Sequence, residues 1–88
     1  MNLRTLQQFI TVAEEKSILQ AARKLYITQS ALSRKIKYLE CEVGVSLFER
    51  SYDGVGLTPA GKVFYEHAKL IIVAMHFAQK DMLVWGKK

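Results

Sequence analysis

The sequence predicts a mostly α-helical chain: three short helices, a small two-stranded ribbon, then one long helix. Three observations carry this. Apolar residues recur at three- and four-residue intervals across residues 3–43. Glycines gather at 44, 54, 56 and 61 around the single proline, Pro59, so turn-forming residues are confined to one stretch. From Pro59, Gly61 in the first turn apart, no breaker appears until Gly86, which allows about 27 residues, or ~40 Å, of helix.

Leu3, Leu6, Phe9, Ile10 and Ala13 share one face of a first helix over about residues 3–15. Ser17 opens a second, because Ser-Ile-Leu-Gln at 17–20 matches a capping box in which hydroxyl and amide satisfy free backbone N–H groups. Its Ala21 and Ala22 are small enough for another helix to approach closely. After a break at Tyr26-Ile27-Thr28, Thr28 caps a third helix that runs to about Val43 and stops at Gly44. There Leu32, Ile36, Leu39 and Val43 form a narrow apolar arc. Ser30, Ser33, Arg34 and Lys37 lie opposite, with Gln29 at the N-terminal edge. Val45, Leu47, Phe48 and Leu57 are strand formers, and Asp53-Gly54 signals a tight hairpin between them. A two-strand ribbon is marginal alone and must lean on the helices. Thr58 as cap and Pro59 as first helical residue then start the long helix.

Eighty-eight residues make one small domain, burying roughly 60–65% of the surface the unfolded chain exposes. Thirteen Lys and Arg against eight Asp and Glu leave +5, a balance that favours a nucleic acid or acidic partner. One cysteine, Cys41, excludes a disulfide framework, a Cys-ligated zinc site and a CxxC redox motif, and it suits a reducing cytosol. The start, Met-Asn-Leu-Arg-Thr, lacks a signal-peptide pattern, and the longest apolar run, Leu70 to Met75, is too short to span a bilayer. The expected location is the cytoplasm.

Charge is distributed unevenly. Between Glu15 and Glu40 lie Lys16, Arg23, Lys24, Arg34, Lys35 and Lys37 and no acid. A solvated helix surface would explain basic residues, but not their coincidence with a short helix, a three-residue turn, a longer helix with a polar outer face and a ribbon. That order is the winged helix-turn-helix pattern, with the helix-turn-helix at about 18–37. The second helix of such a motif enters the major groove by its N-terminal turns. Gln29 can bond bidentately to adenine and Arg34 to guanine, while Ser30 and Ser33 can reach bases or phosphates. Free N–H groups at the helix starts near Ser17 and Thr28 suit phosphate oxygens. Arg23, Lys35, Lys37 and Arg50 add phosphate-binding charge, with Lys16 and Lys24 beside them.

The stretch "SILQAARKLYITQSALSRKIKYLECEVGVSLFER", followed by "GLTPAGKVFYEHA", resembles the N-terminal domain of LysR-type transcriptional regulators. The resemblance runs from Leu3 to about Leu70. It rests on Ala21-Ala22, Gln29, Ala31-Leu32-Ser33, Ile36, Leu39-Glu40, Gly44, Leu47-Phe48, Arg50, Leu57-Thr58 and Gly61. It implies that Gln29, Ser30, Ser33 and Arg34 face bases or nearby phosphates, and that Arg50 and the 51–56 loop form a wing toward the minor groove. Two positions depart from the pattern. Ser30 stands where the family usually has proline, and the wing tip is Tyr52-Asp53-Gly54 rather than basic, so a weak wing contact is expected. These residues match only the family's N-terminal domain, so no small-molecule effector is expected for this chain alone.

The long helix has its own pattern. Phe64, Ala68, Ile71, Met75, Ala78, Met82 and Trp85 alternate four and three apart, as in the seam of a two-helix coiled coil. A second row, Val63, Leu70, Phe77 and Val84, widens the apolar face. Val63, Phe64 and Ala68 are expected to pack on the chain's own head, and Ile71, Met75, Ala78, Met82 and Trp85 to pair two chains. Mixed charges at Lys62, Glu66, Lys69, Lys80 and Asp81 argue against a membrane-surface helix. His67 and His76 fall on opposite sides, so no shared metal is expected. Cys41 lies between Glu40 and Glu42, and neighbouring acids work against thiolate reactivity. No catalytic constellation or cofactor motif is present, so no enzyme is expected.

The sequence thus divides into a DNA-binding head, 1–58, and a dimerisation helix, 59–85. The expected function is homodimeric binding to double-stranded DNA with inverted half-sites, in transcription regulation. The alternative is a protein-interaction module that pairs through the 59–85 helix with a full-length relative and withholds it from DNA.

Overall fold

The computed structural model describes residues 1–86. Helices α1 (Leu3–Glu15), α2 (Ile18–Leu25) and α3 (Gln29–Val43) lead into strands β1 (Phe48–Ser51) and β2 (Gly54–Leu57) and then helix α4 (Pro59–Gly86). This is the winged helix-turn-helix arrangement with a long terminal helix. The Cα envelope measures 54 × 26 × 21 Å, because α4 extends well past the head.

Local chemistry sets the helix ends. Asn2 caps α1 by accepting from Thr5 N–H at 2.9 Å. Ser17 Oγ accepts from Gln20 N–H at 3.1 Å, but only this half of the expected capping box forms among the described residues. Thr28 Oγ1 accepts from Ala31 N–H at 3.1 Å. Gly44 adopts φ 78° and returns its N–H to the Glu40 carbonyl, ending α3 where its conformational freedom is needed. Lys16 and Tyr26 end α1 and α2 in the same left-handed region without being glycine.

Phe9 is the centre of the core. Fully buried, its ring lies 5.2 Å from that of Phe48 and 5.1 Å, edge-on, from that of Phe64, so α1, β1 and α4 meet on one side chain. Leu6 and Val12 extend the α1 face, Ala21 and Ala22 admit α2, and Leu32, Ile36 and Leu39 fill the space beneath α3. Within α4, Gly61 and Ala68 are buried and Phe64, Tyr65 and Ile72 pack partly against the same core. Val63, expected to pack there too, is exposed, because it lies about 140° around the helix from the buried Ala68.

The ribbon is shorter than the strand formers suggested, and its turn lies one residue earlier. Pairing runs Phe48↔Leu57 through Ser51↔Gly54, so Tyr52 and Asp53 form the two-residue turn and Gly54 begins β2. Gly54 is required for another reason. At φ 135°, its Cβ position is already filled by the carbonyl oxygen of Lys16, which accepts from Val55 N–H at 3.2 Å. Val45 and Leu47 lie outside the strands. Leu47 is core, and its backbone is held on both sides. Its N–H, with that of Phe48, donates to Glu40 Oε2 at 2.7 and 3.1 Å, and its carbonyl accepts from Thr58 N–H at 3.0 Å. Gly61 lies against that same carbonyl with no room for a side chain.

Candidate nucleic-acid interface

The apolar arc of α3 faces the core, so the rest of the helix faces outward. Gln29, Ser30, Arg34, Lys35 and Lys37 are exposed and Ser33 is half-buried. Thr28 starts the helix, with its Oγ1 3.5 Å from Ser30 Oγ.

Two adjoining clefts, of about 190 and 180 Å³, run between α3 and the ribbon. The first is lined by Ser17, Gln29, Ser33 and Arg50 among others, and the second by Ser33, Lys37, Glu40 and Arg50. The fold therefore brings five of the expected site residues together from three separate segments: Ser17, Gln29, Ser33, Lys37 and Arg50. Arg34 and Lys35 are placed differently. They line a cleft of about 360 Å³ on the other side of α3, with Asn2, Thr5 and Tyr38. Arg23 is exposed in the last turn of α2 and lines neither cleft beside the ribbon.

Several charges are committed within the chain. Lys24 Nζ is 2.8 Å from Glu15 Oε2, and that hydrogen bond and charge hold its pKa above the ordinary lysine value. Lys24 is thus not the uncommitted phosphate ligand that its place in the basic run suggested. The terminal amine of Met1 pairs with Glu42 at 2.7 Å, neutralising an acid at the far end of α3. Glu40, another acid on this helix, points its carboxylate at the two backbone N–H groups before and at the start of β1.

Sequence reasoning passed over three tyrosines and this role of Glu40. Tyr26, Tyr38 and Tyr52 are all highly exposed, Tyr52 at the wing tip completely so. Tyr38 could have been found by its position four residues after Arg34, one turn further along the outer face. The role of Glu40 leaves no such signal, since its partners lie seven and eight residues on. Gln8 is also buried, and its Oε1 has no hydrogen-bond partner.

Along α4 the proposed pairing residues lie mostly in solvent. Met75 is half-buried, while Ile71, Ala78, Met82 and Trp85 are exposed. Tyr65 anchors the helix root by donating to Glu14 Oε2 at 3.1 Å, and Lys69 Nζ lies 4.9 Å from the centre of its ring. Burial, then the bond to Glu14, raises the Tyr65 pKa. No helix among the described residues is long and apolar enough to cross a membrane, and none of their His, Cys, Asp and Glu side chains gather in threes as a metal site requires.

The same arrangement occurs in known proteins. The transcriptional regulator ClcR of Pseudomonas putida is 49% identical over 72 residues, which cover 82% of this chain and 24% of that protein. AlsR of Bacillus subtilis is 49% identical over 73 residues, covering 83% and 24%. The chain thus spans about a quarter of the length of these regulators. Among solved structures, the BenM_DBD/catB site 1 DNA complex superposes with a TM-score of 0.94 at 38% identity, covering 100% of this chain and 99% of that one. The CbnR_DBD–DNA complex gives 0.92 at 34% identity, covering 99% and 100%. Residues 3–62 match the bacterial regulatory helix-turn-helix proteins of the lysR family, and it is to this family that the chain belongs.

Proposed function

We propose that the chain binds double-stranded DNA as a homodimer and acts in transcription regulation in the cytoplasm. One observation carries this reading: the cleft between α3 and the wing, where Ser17, Gln29, Ser33 and Arg50 converge from three segments. It is bordered by cations and by the exposed outer face of α3. Gln29, Ser30, Ser33 and Arg34 read bases, and the forked donors of Arg34 suit guanine O6 and N7. Thr28, Lys35, Lys37, Arg23 and Arg50 hold phosphates, and the free N–H groups after Ser17 add a neutral anion site. Pairing through Ile71, Met75, Ala78, Met82 and Trp85 presents two heads, so the target has inverted half-sites on one face of the duplex.

The test is binding-site selection with the parent and Arg34→Ala. The variant is expected to lose about 1–3 kcal/mol on the selected site and to relax choice at one base pair per half-site. Lys37→Ala should weaken all sequences alike. An unchanged preference profile for Arg34→Ala would remove Arg34 from base readout. No binding by the parent to any duplex at low salt would overturn the whole reading.

A further inference from the structure

We infer that the cleft between α1 and the turn from α2 to α3 is a further binding site, one that takes the C-terminal residue of a peptide ending in an aliphatic side chain. The cleft has a volume of about 350 Å³ and is lined by Arg4, Gln7, Gln8, Leu25 and Ile27. None of these residues belongs to the DNA interface proposed above, and neither α3 nor the ribbon contributes to the lining. The inference therefore stands apart from that reading and is tested without DNA.

Gln8 is the residue that points to a ligand. Only 4% exposed, it carries an Oε1 with no hydrogen-bond partner among the described residues. A buried acceptor left unpaired is unfavourable, and an arriving N–H group relieves it. Arg4 lies one turn earlier and about 40° around α1, on the same face as Gln8. It is exposed and forms no ion pair among the described residues. No acid lines the cleft, so the guanidinium is open to an incoming carboxylate. Leu25 and Ile27, both half-buried, supply an apolar wall on either side of the exposed Tyr26.

Three demands thus meet within one turn of helix: an N–H for Gln8, a carboxylate for Arg4 and an aliphatic group for Leu25 and Ile27. The last residue of a peptide carries all three on one Cα, and capture of a terminal carboxylate is a recurring mode of peptide recognition. An internal Asp or Glu also offers an N–H and a carboxylate, but its side chain is spent on the charge and leaves the apolar wall uncovered. A DNA phosphate can meet Arg4, yet it has only acceptors and gives Gln8 Oε1 nothing. The size also fits, since ligand clefts run from roughly 300 to 1,000 Å³ and set a few convergent polar groups against an apolar lining. Leu25 and Ile27 straddle the turn that leads to the Thr28 cap, so the occupant ties α1 to the segment from which α3 starts.

The test is an NMR titration of the full chain, without DNA, with N-acetyl-leucine as the probe. Saturable shifts are expected at Arg4, Gln8, Leu25 and Ile27, with a dissociation constant of about 1 mM or tighter. N-acetyl-leucinamide, which lacks the charge, and isocaproate, which lacks the N–H, should each bind about tenfold more weakly or worse. The peptide acetyl-Gly-Gly-Gly-Leu should bind at least as tightly as N-acetyl-leucine, and its amidated form should not. Arg4→Ala and Gln8→Leu should each weaken the probe about tenfold with an unchanged circular-dichroism spectrum. Gln8→Leu should also melt no lower than the parent, because it removes the orphan acceptor, so its loss of binding is not a loss of fold. Absence of saturable binding, or an Arg4→Ala chain that binds the probe as the parent does, would overturn the proposal. Binding of N-acetyl-leucine but not of the free-ended peptide would overturn the assignment to a peptide end. A chain that ignores every probe, while Arg4→Ala lowers the salt slope of duplex binding by about 1 per head, would give the cation to DNA instead.

Discussion

Removing the Glu40 carboxylate should loosen the wing more than any surface substitution of similar size. Glu40 accepts from Leu47 N–H at 2.7 Å and Phe48 N–H at 3.1 Å, in a half-buried site. Hydrogen bonds to a charged acceptor contribute about 1.5–3 kcal/mol each, and water at the cleft recovers part of that when the acceptor goes. Glu40→Ala should therefore cost about 2–4 kcal/mol, while Glu40→Gln, which keeps one carbonyl acceptor, should cost roughly half as much. In a domain of this size such a loss lowers the melting temperature by roughly 10–20 °C. Urea unfolding followed by far-UV circular dichroism measures it, provided the denaturant slope stays constant between variants. DNA affinity should fall beyond the loss of folded protein, because Arg50 lies two residues past Phe48 and is placed by the same anchor. A Glu40→Ala chain within about 0.5 kcal/mol of the parent would show that the wing is held by Leu47 and Phe9 packing alone, and the reasoning would fail.

Gly54→Ala puts a methyl group where the Lys16 carbonyl oxygen already lies and forces an alanine into φ 135°. It should destabilise by more than about 3 kcal/mol in the same urea assay, whereas Gly56→Ala, which meets nothing within 4 Å, should be far milder. Lys24 is bound to Glu15, so Lys24→Met should leave the slope of log affinity against log salt almost unchanged in a filter-binding titration. Lys37→Met should reduce that slope by about 1 per head. The raised pKa of Tyr65 gives a signed pH dependence. Its contribution is complete below the ordinary tyrosine value of 10.0 and is lost as pH rises through the raised folded value. Tyr65→Phe should flatten that alkaline decline in thermal melts, and an identical decline in both chains would reassign it.

Helix ends were legible in the sequence because capping is chemistry between residues three apart. Ser17, Thr28 and Thr58 each accept from the third residue on, and Gly44 stands where the left-handed backbone is needed. The outer face of α3 was legible for a similar reason, since a rotation of 100° per residue puts Arg34 about 160° from both Leu32 and Ile36 without any tertiary knowledge. The ribbon was read less well. Gly54 resembles a turn residue, but what selects glycine there is a carbonyl from the α1–α2 junction, 38 positions earlier in the chain. Leu47 resembles a strand residue, yet its N–H and carbonyl are taken by Glu40 and Thr58. The division of the basic residues between two clefts could not be read either. It depends on α1 lying beside Arg34 and Lys35 while the ribbon lies beside Ser33 and Lys37.

The packing also decides how the two halves of the chain communicate. Phe9 touches Phe48 at the root of the wing and both Phe64 and Tyr65 at the root of α4. Tyr65 is further fixed by its bond to Glu14, and the carbonyl of Leu47 is shared by the Thr58 N–H and the close approach of Gly61. The direction of α4 relative to α3 is therefore set by a rigid aromatic centre and two backbone contacts, not by a hinge at Thr58-Pro59. Interiors packed this closely shift between discrete arrangements rather than deform smoothly. When two such helices pair, the separation and tilt of the two reading heads follow from that centre. On the proposed homodimeric reading, the duplex would have to fit a fixed pair of heads, and residues in α1 and α4 that never approach a base would set the half-site spacing.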